Sequence, residues 1–133
     1  MAKVLISPGK YVQGAGEMKK LGEYAQNYGK KALILISKGG YKRIGAMVEK
    51  SFEGKECGYV FDYFNGECSK KEIKRLGEIV KKEACDVVIG IGGGKIFDTA
   101  KAVAYYEKTP VLICPTIAST DAPCSALSVI YTE

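Results

Sequence analysis

The sequence predicts an α/β chain folded as a three-layer, doubly wound, mainly parallel sheet. Three observations carry this. Residues 32–36, 87–91 and 111–114 are short, unbroken apolar runs, as expected of strands covered on both faces. Segments with apolar residues at helical spacing stand between them. The resulting alternation of strand and helix is the pattern of right-handed crossovers joining parallel strands.

Taken in order, Val4, Leu5 and Ile6 make a short apolar start, Pro8-Gly9 breaks it, and Tyr11-Val12 offers a second extended piece, so a small hairpin is expected. Met18, Leu21 and Ala25 give a first helix over about 15–28, stopped by Asn27-Tyr28-Gly29. The run 32–36 enters Ser37-Lys38-Gly39-Gly40, and a helix over about 41–52 presents Ile44, Met47 and Val48. A strand over 58–63 closes at Asn65-Gly66. Ser69 and Glu72 have the spacing of a capping box, in which hydroxyl and carboxylate satisfy each other's backbone amides, ahead of a stripe of Ile73, Leu76 and Val80. The run 87–91 enters Gly92-Gly93-Gly94 and a helix from Lys95 to about Tyr106. The run 111–114 enters Pro115-Thr116-Ile117-Ala118-Ser119-Thr120.

A chain of 133 residues suffices for one core, so a single domain over 1–133 is expected. The formal charge of +5 comes largely from lysines at helical spacing, without the basic stripe and interleaved aromatics of a nucleic-acid binder. No apolar run reaches the length of a membrane span, and the apolar start is too short for a signal peptide; a cytoplasmic location is expected. The five cysteines include no C-x-x-C pair, and histidine is absent, which argues against a closed zinc site. Cys57, Cys85 and Cys114 lie in or beside apolar stretches and read as reduced core residues.

The glycine loop after residue 91 is the most informative feature. Three residues without side chains between a buried strand and a helix let backbone amides approach a phosphate at the positive helix end. Its spacing is neither of the common fingerprints. Lys95 stands where the third glycine of G-x-G-x-x-G belongs, and Ile89 and Ile96 replace the first glycine and the Ser/Thr of a Walker loop. A phosphate cradle and a tight structural turn both fit. The hydroxyl-rich loop after the next strand would converge on the same crevice, where open α/β sheets bind ligands. Lys95 is a phosphate contact or a solvated surface lysine; Asp98 is a dipole-favoured carboxylate or an anchor for the neighbouring loop.

Two longer stretches are more specific: Gly92-Gly93-Gly94-Lys95-Ile96-Phe97-Asp98-Thr99-Ala100-Lys101, and Pro115-Thr116-Ile117-Ala118-Ser119-Thr120-Asp121-Ala122-Pro123-Cys124-Ser125-Ala126-Leu127-Ser128-Val129-Ile130-Tyr131. With Ser7-Pro8-Gly9-Lys10-Tyr11-Val12-Gln13-Gly14 and Phe64-Asn65-Gly66-Glu67-Cys68-Ser69, they make the chain resemble the glycerol dehydrogenase family along nearly its whole length. The wider relatives are the iron-dependent alcohol dehydrogenases and the dehydroquinate synthases.

The resemblance implies a Rossmann-like nucleotide-binding domain from an enzyme that oxidises glycerol to dihydroxyacetone with NAD. A divalent metal, usually zinc, would hold the polyol in the complete enzyme. It implies that Gly94, Lys95 and Asp98 line the pyrophosphate, that Thr116, Ser119, Ser125, Leu127 and Tyr131 border the ribose and nicotinamide, and that Asp121 contacts glycerol. The family's metal ligands, an aspartate and two histidines, belong to a helical second domain that would follow Glu133. Neither metal ligands nor catalytic residues are therefore assigned here, and the chain alone is expected to be inactive and to self-associate through the face that domain would cover. The family tends to place an acid at the end of the second helix-linked strand, where this sequence has Ser37-Lys38, so NADP stays open beside NAD. Two other readings stand alongside: a non-catalytic nucleotide-binding or assembly module working with a separate metal-domain partner, and a dehydroquinate synthase-type reaction, against which the stretch 121–125 argues.

Overall fold

The computed structural model describes the backbone of residues 6–13, 17–115 and 126–132 and the side chains of residues 19–115. The apolar runs become adjacent parallel strands: β2 (Lys31–Ile36), β3 (Gly58–Tyr63), β4 (Val87–Gly92) and β5 (Val111–Pro115), in spatial order β3-β2-β4-β5. Because strand side chains alternate, each run feeds two cores at once. Ala32, Ile34, Ile36, Val87, Ile89, Ile91, Leu112 and Cys114 join one cluster, whereas Leu33, Leu35, Val88, Val111 and Ile113 join the other. An unbroken apolar run is the signature of this two-sided burial.

Two antiparallel strands extend the sheet. β1 (Ile6–Gln13) pairs with β6 (Ala126–Thr132), and β6 pairs with β5, giving the full order β1-β6-β5-β4-β2-β3. The hairpin expected near the N-terminus is absent: residues 6–13 form one strand whose register shifts between Pro8 and Lys10. Gly9 is absorbed as an irregularity, and Pro8 is tolerated because β1 lies at the sheet edge.

The first cluster is covered by α1 (Leu21–Ala25) and α2 (Lys38–Ser51). The single helix expected over 15–28 is instead a 3-10 turn, Glu17–Lys20, followed by the short α1. A side chain at Gly22 would collide with the Ser51 carbonyl, so glycine there lets α1 sit directly against α2, where the Gly22 N–H donates to Ser51 Oγ at 3.1 Å. α2 begins three residues earlier than its periodicity predicts, because Ser37 Oγ accepts the Gly40 N–H at 3.0 Å and caps it.

The second cluster is covered by α3 (Lys70–Glu83) and α4 (Gly94–Glu107). Half of the expected capping box forms: Ser69 Oγ accepts the Glu72 N–H at 3.1 Å. The Glu72 carboxylate, 1% exposed, turns elsewhere, to the Asn65 N–H and to Arg75. Asp86 ties the start of β4 to the start of β2 by accepting the N–H groups of Lys30 and Lys31 at 2.8 and 2.9 Å.

Candidate functional site

The order β3-β2-β4-β5 fixes where a ligand can sit. The connection after β2 leads outward to β3 through α2, and the connection after β4 leads the other way to β5 through α4. The crossovers diverge between β2 and β4, leaving a crevice at their carboxyl ends, the topological switch point at which open α/β sheets bind ligands. Ser37-Lys38-Gly39 borders it on one side and Gly92-Gly93-Gly94 on the other. Pro115, at the end of β5, is paired in register with Gly92.

The glycines of this loop divide by cause. At Gly90 a Cβ would lie 2.9 Å from Ala100 Cβ, so glycine there permits close packing of α4 on β4. Gly92 has φ +146°, a conformation L-residues avoid, and a Cβ would lie 2.7 Å from Ile96 Cδ1. Gly93 and Gly94 have neither reason: both have negative φ, and a Cβ on either would meet nothing within 4 Å among the described residues. Their missing side chains leave open space over the end of the crevice, a cradle suited to an approaching phosphate.

The start of α4 matches that space. α2 and α3 each carry a serine cap, whereas α4 is preceded by Gly93, has no side-chain cap bond and has no acid in its first turn. The free amides and the partial positive charge of a helix start are thus left to solvent or to an anion. Gly94 and Lys95 stand in that first turn, and Asp98 lies one turn on, exposed. The Lys95 ammonium pairs at 3.1 Å with Glu67, from the loop after β3; both side chains are well exposed, so the pair is weak and breakable.

That loop is held by a network around the buried Glu72 carboxylate. Arg75 donates to Glu72 at 2.7 and 2.8 Å, to Asp62 at 2.9 Å and to the Tyr63 carbonyl at 3.2 Å. The Arg75 hydrogen bonds, joined by the one from the Asn65 N–H, hold the Glu72 carboxyl below its ordinary pKa against the opposing effect of burial. Nearer β2, the Lys38 ammonium lies 5.9 Å from the centre of the Tyr63 ring.

Gly94, Lys95 and Asp98 lie within the first five residues of α4, the helix that opens at the crevice. Thr116, Ser119, Asp121 and Ser125 lie outside the described residues. Leu127 and Tyr131 are described by backbone alone. Leu127 adjoins Ser128, which pairs with Ile113, whereas Tyr131 adjoins Ile130, which pairs with Val111 at the opposite end of β5. Tyr131 is therefore four residues further from the glycine loop along β6, about 13 Å at strand rise. Sequence reasoning did not single out Glu67 as a partner of Lys95, or Tyr63 as a partner of Lys38. Each contact joins different elements and leaves no local spacing to find.

Two other concavities lie away from this crevice. One, about 510 Å³, is lined by Lys19, Lys20, Met47 and Lys50 among others. The other, about 300 Å³, lies between α3 and α4 at Ile73, Gly77 and Tyr106. The large apolar side chains exposed among the described residues are Tyr63 and Tyr106. Cys57, Cys85 and Cys114 are buried, as expected, and burial pushes the Cys57 thiol up to about 11. The described residues bring no three His, Cys, Asp or Glu side chains together to hold a metal ion. No described helix is long and apolar enough to cross a membrane.

An open α/β sheet with a glycine cradle at its switch point defines a nucleotide-binding type of domain, and comparison with known proteins agrees. Residues 8–133 match the family model for iron-containing alcohol dehydrogenases, and the chain belongs to that family. Within it, the chain is similar to the glycerol dehydrogenase of Escherichia coli O6:H1, with 50% identity over all of this chain and 36% of that protein. Glycerol dehydrogenase of Thermotoga maritima is 52% identical over 99% of this chain and 36% of its own length. Among solved structures, a probable glycerol dehydrogenase from Sinorhizobium meliloti superposes with a TM-score of 0.71 and 40% identity, over 93% of this chain and 32% of that one. The chain thus spans about a third of the length of the relatives it matches.

Proposed function

We propose that this chain is the nicotinamide-dinucleotide-binding part of a glycerol dehydrogenase-type oxidoreductase. The observation that carries the reading is the pairing of open space at Gly93 and Gly94 with an uncapped α4 start, at the switch point of the sheet. These residues fit a pyrophosphate: the α4 amides would donate to it, and Lys95 would exchange Glu67 for phosphate oxygen. Asp98 would border the same group. Resemblance adds Thr116, Ser119, Ser125, Leu127 and Tyr131 along the ribose and nicotinamide, with Tyr131 at the far end. Asp121 would accept hydrogen bonds from the hydroxyls of a small polyol such as glycerol. When bound, the dinucleotide supplies the hydride acceptor; the chain's own task is to bind and orient it. By resemblance, the groups that hold the metal for polyol oxidation belong to a second domain, so the role read for this part is dinucleotide binding rather than turnover.

Isothermal titration of the purified chain with NADH and with NADPH at low salt tests this. Saturable binding of a dinucleotide, lost in Gly94→Val, is the expected result. No binding of either by a folded sample would refute the reading.

A further inference from the structure

We propose that the carboxyl end of β2 is built to accept a 2′-phosphate, so that the dinucleotide bound is the phosphorylated form, NADP(H), with Lys38 the residue that selects it. The inference rests on the proposed dinucleotide site and adds to it the identity of the adenosine end. Leu35 of β2 pairs in register with Gly90 of β4, so Ser37, two residues on, comes level with Gly92. Neighbouring strands lie about 4.8 Å apart, which places the β2 end one strand-width from the phosphate cradle, the span of a ribose. Since the segment after β5 is assigned to the nicotinamide side, β2 takes the adenosine side.

A site that selects the unphosphorylated ribose offers a carboxylate to the 2′-hydroxyl; a site that takes the 2′-phosphate offers a cation. The β2 end has no carboxylate: α2 has no acid in its first turn, and the Ser37 hydroxyl is already engaged with the Gly40 N–H. Of the acids nearby, Asp62 and Glu72 are held by Arg75. Lys38 is exposed and makes no ion pair among the described residues; its ammonium rests near the Tyr63 ring instead. That contact is weak at this distance and leaves the charge unneutralised. Lys42, one turn on in α2, adds a second exposed cation. Gly39 between them has open space where a side chain would stand.

The test is the ratio of dissociation constants for NADPH and NADH, measured by titration, with 2′,5′-ADP and 5′-ADP as shorter probes. The expected result is a preference of about tenfold or more for each 2′-phosphorylated ligand, the scale of one charge-assisted contact. Lys38→Glu should collapse that ratio. Ser37→Asp should invert it while retaining the α2 cap, since aspartate caps as well as serine. Tighter NADH binding by the unaltered chain, or a ratio unmoved in both variants, overturns the inference and leaves the dinucleotide reading standing. Binding of neither dinucleotide overturns both.

Discussion

Gly94→Ala separates a glycine kept for a ligand from one kept for the fold. Gly94 opens α4 with negative φ and open space at its Cβ position, so alanine fits without strain. Removing the conformational freedom of glycine from the unfolded chain should stabilise by about 0.5 kcal/mol, raising Tm by about 2 °C for a domain of this size. Gly90→Ala is the control. Its methyl would lie 2.9 Å from Ala100 Cβ and 3.6 Å from Ile96 Cγ2, inside a packed strand–helix contact. Overpacking there should cost about 1–3 kcal/mol and lower Tm by several degrees. Dinucleotide titration below either Tm should give the opposite ranking: Gly94→Ala loses about tenfold or more in affinity, or 1.4 kcal/mol, and Gly90→Ala much less. A Gly94→Ala chain that is more stable and binds like the wild type would refute the assignment of that open space to a ligand. One that is destabilised would refute the claim that nothing in the fold needs glycine there.

The remaining predictions concern the fold. Glu72→Ala removes the buried acceptor of the Asn65 N–H and of Arg75, which keeps Asp62 and solvent, and should cost about 1–3 kcal/mol in urea denaturation. Because the Glu72 pKa is depressed on folding, its contribution is complete above about pH 4.3, the unfolded value, and is lost as pH falls through the lower folded value. Stability measured from pH 7 down to 3 should therefore fall less steeply in Glu72→Gln than in the wild type. Iodoacetamide at pH 7.5 with peptide mapping should label Cys68, which is exposed, and spare Cys57, Cys85 and Cys114 until the chain unfolds. Ser69→Ala should cost about 1 kcal/mol through loss of the α3 cap.

The parallel strands were legible because two-sided burial writes itself as unbroken apolar sequence, and 32–36, 87–91 and 111–114 each fell inside an observed strand. Ser69 was legible as a cap because its partner is three residues away; the Glu72 half was not, because Arg75 and Asn65 offered the carboxylate better partners. Pro8-Gly9 read as a break because local turn chemistry does not register that β6, more than a hundred residues later, supplies a pairing edge. The glycine loop was visible, but which of its glycines serve packing emerged only from the distances to Ile96 and Ala100. The contacts of Glu67 with Lys95 and of Lys38 with Tyr63 join separate elements and had no sequence signature.

The pairing of β2 with β4 has a kinetic consequence. The strands that flank the crevice are separated in sequence by the whole of α2, β3 and α3, and Asp86 reaches back 55 and 56 residues to the amides of Lys31 and Lys30. A growing chain that has emerged only through β3 already holds one wall of the crevice and has nothing to face it. The opposite wall arrives when β4 inserts beside β2, a non-local step whose loop-closure cost precedes its reward. Any guest of the crevice consequently meets both walls together only once β4 is in place, and the binding energy that needs both acts on the completed sheet.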